Sequence, residues 1–89
     1  MSGIYLKVTF SDGKPLAAYL QLPRQSGDRA VKSKKQEAGL VVDFASDGRP
    51  IGVEITSPSL FSVDAMNRVL VSLNLSPLAP GALAPLAAA

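Results

Sequence analysis

The residues that could do chemistry gather around one short stretch. From Asp43 to Glu54, Asp-Phe-Ala-Ser-Asp-Gly-Arg-Pro-Ile-Gly-Val-Glu places acids first, fifth and last with Gly48 sixth, the outline of a calcium-binding EF-hand loop of about 12 residues. The third ligand position is Ala45, and both flanks read as strands rather than helices. The stretch is therefore expected to be a hairpin turn that shares its Asp and Gly with that motif, and no metal or other cofactor is expected. Asp43 and Glu54 also form a carboxylate pair on adjacent strands. Acid–base hydrolysis needs such a pair about 5–10 Å apart inside a cleft, and a small sheet without tryptophan offers little cleft. Two charges that keep a sheet face soluble are the simpler expectation.

A second group is basic. Arg24, Arg29, Lys32, Lys34 and Lys35 crowd into one segment, 24–35. They are the candidate contacts for nucleic acid or for a small protein partner, because clustered cations neutralise phosphates. No aromatic residue is interleaved with them, so a stacking platform for single strands is missing. Lysines along an exposed strand also guard a sheet edge against aggregation, which needs no ligand. No phosphate-binding glycine loop is present.

Composition narrows the chemistry further. The chain has 89 residues, 47% hydrophobic and 18% charged, with no cysteine and no histidine. Thiol catalysis, disulfides, Cys/His zinc sites and imidazole-based triads are excluded. Nine cations against seven acids give a net charge of +2, too slight to mark a nucleic-acid binder by itself. Without a membrane-length apolar run or a basic-then-apolar leader, a cytoplasmic protein is expected. A non-enzymatic protein fits this inventory best.

Local patterns predict the elements that hold these residues. Residues 4–10 alternate, with Ile4, Leu6, Val8 and Phe10 on one face, as a half-buried strand requires. Ser11-Asp12-Gly13 supplies a turn, and Leu16 to Leu22 alternate again. A three-residue loop at 11–13 would set Val8 opposite Leu16, Leu6 opposite Ala18 and Ile4 opposite Leu20, keeping the faces consistent. The turn recurs: Ser11-Asp-Gly-Lys-Pro-Leu16 returns as Ser46-Asp-Gly-Arg-Pro-Ile51. Strands at 40–45 and 51–56 make a second hairpin. A two-residue turn there would pair Val42 with Val53, whereas analogy with the first favours three residues. The strand at 40–44 is apolar on both faces and is expected inside the sheet. Residues 30–37 read as a lysine-rich edge strand.

A helix is predicted over 62–74, with Ser62 as N-cap, Asp64 in its first turn and Val63, Met66, Val69, Leu70 and Leu73 as the apolar stripe. Asn67, Arg68 and Ser72 fall on or near its wet side. Asn74 in a left-handed conformation ends it. Residues 76–89 form an apolar Pro/Ala-rich tail beyond a single domain at 1–75. Its leucines, with Leu75 at its threshold (Leu75, Leu78, Leu83, Leu86), must pack on the chain's own sheet, on a twin subunit or on another partner.

The segment from Leu40 to Ser59 resembles the signature of the bacterial domain-of-unknown-function 2283 family. The matching positions are Val42, Asp43, Asp47, Gly48, Gly52, Val53, Glu54, Ile55 and Ser59. Ala18 to Leu22 fits the family's upstream strand more loosely. The resemblance implies a small α+β fold and no established activity, with an antitoxin-like or accessory role by association. The expected protein is thus α+β: an antiparallel sheet of four to five strands, built as two hairpins, with one C-terminal helix packed on one face. It is expected to be a structural or protein-interaction module, working as a homodimer. The alternative is an antitoxin-like or regulatory binding module that uses the basic segment.

Overall fold

A computed structural model describes residues 4–23, 25–37, 39–58 and 62–78. Five strands and one helix follow in order: β1 (Tyr5–Ser11), β2 (Lys14–Gln21), β3 (Lys32–Glu37), β4 (Leu40–Phe44), β5 (Pro50–Ile55) and α1 (Val63–Ser72). The strands form one antiparallel sheet in the order β1-β2-β5-β4-β3. The expected α+β class, both hairpins and the lysine-bearing edge strand are all present. β4 lies between β5 and β3, where its two apolar faces require it to be.

One face carries the core. Ala18, Leu20, Leu40, Val42, Val53 and Ile55 from the sheet share a buried cluster with Met66, Val69 and Leu70 of α1. Ser62 caps the helix by accepting the Ala65 N–H at 3.0 Å, and Asn74 takes a left-handed φ of 63° just past its end.

The first hairpin corrects the expected register. Val8 stands opposite Ala18 and Leu6 opposite Leu20, not Leu16 and Ala18. Asp12 and Gly13, at φ 52° and 78°, close a two-residue loop of the kind whose twist matches the strands. That loop alone would mix the faces. A bulge between Thr9 and Phe10, which leaves Leu16 unpaired beside Pro15, restores the match. Pro15 lacks the N–H that regular pairing would use there. The apolar faces do match, through a bulge rather than a longer loop.

The second hairpin uses both devices. Its tip is a three-residue loop, with Ala45 N–H donating to Arg49 O at 2.9 Å and Gly48 at a φ of 89°. A bulge at Ile51 then returns Val42 to Val53. Structurally the two hairpins are copies. Leu6-x-Val8-x-Phe10 corresponds to Leu40-x-Val42-x-Phe44, and Ala45 is the one residue inserted before the shared turn. The pairs Leu6–Leu20, Val8–Ala18 and Phe10–Pro15 become Leu40–Ile55, Val42–Val53 and Phe44–Pro50. The copies meet through β2 and β5 about a local twofold. Exchanging them converts Ala18–Ile55 into Leu20–Val53 and leaves Tyr19–Glu54 unchanged.

Candidate functional site

On the sheet face away from the core, one acid is buried. Asp43, 6% exposed, accepts hydrogen bonds from Ser33 Oγ at 2.6 Å and Tyr19 Oη at 3.3 Å. Ser33 lies directly opposite it on β3. Tyr19 reaches it from β2 by crossing Gly52 on β5, where any Cβ would collide with the ring. Each oxygen of Asp43 therefore has a donor, and the group braces three strands. Glu54 is exposed instead. It lines a shallow depression with Lys7, Thr9, Ala17, Tyr19 and Thr56, and Asp43 is not part of that wall. The two carboxylates stand in different settings, one tied down and one in solvent, which does not build an acid–base pair.

Two arginines tie loops and helix to the sheet. Arg49 presents Nη1 and Nη2 to Asp28 at 3.1 and 2.8 Å, and its Nε to Asp47 at 2.6 Å. Asp28 also accepts the Gln25 N–H at 2.8 Å, so the clamp fixes the connection between the hairpins to the second turn. These bonds raise the Arg49 pKa, the Asp28 contact first and the Asp47 contact second. They hold Asp47 below its ordinary value, through the Arg49 side chain first and its backbone N–H second. Arg68 on α1 grips Glu37 on β3 at 3.0 and 3.2 Å. That hydrogen bonding lowers the Glu37 pKa and raises that of Arg68. Nothing in the local sequence pairs residues so far apart.

The basic candidates separate. Lys32, Lys34 and Lys35 are exposed on β3 and form no ion pair among the described residues. Lys32 and Lys34 oppose Phe44 and Val42, whereas Lys35 opposes Val41 on the other face. Arg29 is exposed in the preceding loop, and Arg24 lies outside the described residues. Lys32 and Lys34 share an open groove with Val31, Phe44, Ser46 and Gly48. The aromatic residue missing among the cations in sequence is thus supplied by the neighbouring strand.

The apolar candidates behave differently from one another. Leu75 and Leu78 are half-buried against the chain's own core. Asn67, expected near the wet side of α1, is half-buried and holds Leu78 by accepting its N–H at 2.9 Å and donating to its carbonyl at 3.4 Å. Leu83 and Leu86 lie outside the described residues. The exposed large apolar side chains include Ile4, Tyr5, Phe10 at 54% and Leu16 at 61%, all on or beside the first hairpin. β1 is an outer strand of the sheet, and its solvent face carries Lys7 5.7 Å from the Tyr5 ring centroid. The alternating pattern marks this strand but not its position at the edge, because strand order is set by long-range pairing. No helix among the described residues is long and apolar enough to cross a membrane. No family model, no curated protein and no solved structure matches this chain.

Proposed function

We propose that the chain is a cytoplasmic, non-enzymatic protein-interaction module that recognises its partner by strand addition at β1. The supporting observation is a mismatch between sequence and position. β1 carries the Leu-x-Val-x-Phe pattern of β4, which is flanked by strands on both sides, yet β1 stands at the edge. Among the described residues no strand lies outside β1, and an edge of this kind offers main-chain donors and acceptors to an extended segment. Exposed Ile4, Phe10 and Leu16 add apolar contact beside it. Residue-resolved amide exchange on dilute, monomeric protein tests this. The outward amides of β1 should exchange far faster than those of β5. Protection equal to that of β5 would mean the edge is already covered, and the reading fails.

A second reading rests on β3. Three lysines that form no ion pair among the described residues, with Phe44 beside two of them, suit a single-stranded polyanion. It predicts nucleic-acid retardation at low salt that weakens steeply as salt rises, with a shallower slope in the Lys32→Ala/Lys34→Ala variant. Absence of retardation at low salt would remove it. The resemblance to the domain-of-unknown-function 2283 family adds to the first reading a fold without an established activity, and to the second an antitoxin-like role by association.

A further inference from the structure

Resting on that reading, we infer that the partner at β1 is a second copy of this chain, joined β1 to β1 about a twofold at Val8. The two hairpins are copies, so the place beside β1 is the counterpart of the place beside β4 that β3 fills. A strand seated there meets Leu6, Val8 and Phe10, just as β3 meets Leu40, Val42 and Phe44. Charge selects the occupant. A neighbouring molecule's β3, docked as β3 docks on β4, would set its Lys35 against Lys7, because Lys35 opposes Val41 and Val41 corresponds to Lys7. Like charges directly opposite are unfavourable. Such head-to-tail docking would also leave a free edge at each end and propagate.

Antiparallel self-pairing of β1 closes instead. Full overlap of Tyr5–Ser11 puts the axis at its middle residue, Val8. Leu6 then faces the partner's Phe10, and Lys7 faces the partner's neutral Thr9, so the apolar faces coincide and no like charges stand directly opposite, the two Lys7 side chains lying on a diagonal about 7–8 Å apart. The molecule already contains this kind of joint, since β2 and β5 meet antiparallel about the local twofold at Tyr19–Glu54. The product is one continuous sheet whose outer edges are both the lysine-bearing β3.

Thr9 is exposed on the solvent face, so its charge can be changed without entering the core. Sedimentation equilibrium of the full chain should show a monomer–dimer equilibrium. Thr9→Glu, facing Lys7 twice across the axis, should tighten it about threefold, and Thr9→Lys should loosen it by a similar factor. A wild type that stays monomeric at millimolar concentration overturns the self-pairing, as does a dimer indifferent to both changes. In the monomeric case, rapid exchange of the β1 amides leaves the edge open for a different protein. Protected β1 amides would end both readings together.

Discussion

Replacing Gly52 by alanine tests the buried polar cluster and the sheet that carries it. A Cβ at this position would fall within the contact distance of Tyr19 Oη and Cζ, and would stand 2.8 Å from Cε2. The ring has to move aside. It then gives up its 3.3 Å hydrogen bond to Asp43, and Asp43 keeps Ser33 as donor in a site only 6% exposed. A hydrogen bond to a charged acceptor contributes about 1.5–3 kcal/mol, and this long one belongs at the lower end. Lost packing of the half-buried ring adds about 1 kcal/mol. Alanine in place of glycine in a strand interior recovers about 0.5–1 kcal/mol. The net loss is about 2 kcal/mol, or about 8–16 °C in Tm for a domain of this size. Thermal and urea unfolding followed by circular dichroism measure it. Tyr19→Ala supplies the control. With the ring gone, Gly52→Ala should be neutral or slightly stabilising, a coupling of about 2–3 kcal/mol between the two sites. Costs that simply add in the double variant would refute the placement of Tyr19 over Gly52.

Two further perturbations probe the loops and the acid limb. Arg49→Ala should free the connection between the hairpins from its Asp28 anchor, so that limited proteolysis cuts within 25–30 faster than in the parent while β4 and β5 stay intact; an unchanged cleavage rate would show that the clamp does not restrain the loop. Glu37 and Asp47 are both held below their ordinary pKa by arginine hydrogen bonds. Folding therefore favours their ionised forms, and their contribution is present above the ordinary carboxylate range and lost as pH falls through the lowered values. The urea midpoint should drop between pH 5 and pH 3 in the parent and drop less in Glu37→Gln/Asp47→Asn. Both pairs are solvent-exposed, so added salt should shrink the difference.

What could be read from the sequence depended on the range of the interaction. Period-two alternation located β1 and β2, and the Ser62 cap with the 63–73 stripe located α1, because each is decided within a few residues. The repeated Ser-Asp-Gly turn was visible, but its extension to Leu-x-Val-x-Phe was hidden by the single inserted Ala45, which shifts the strands relative to the turns. Bulges escaped for a similar reason. Leu16 and Ile51 look like ordinary alternating residues until the proline before each removes a ladder donor. The Asp43–Ser33–Tyr19 cluster joins β2, β4 and β3 across β5, an order that depends on pairing between hairpins. Leu75 and Leu78 lie half-buried against the core, and the hold that Asn67 of α1 has on Leu78 is a contact that polarity alone could not supply.

The absence of cysteine makes the central claim open to direct measurement. Val8→Cys is a mild change at a half-buried strand position, and it becomes the only thiol in the molecule. If β1 pairs with its own copy about Val8, the two Cα atoms stand opposite each other at a spacing that a disulfide spans. Mild oxidation should then yield a covalent dimer of Val8→Cys far faster than of Ser46→Cys on the exposed second turn. Equal rates for the two variants, or no covalent dimer at residue 8, would contradict the joining of β1 to β1.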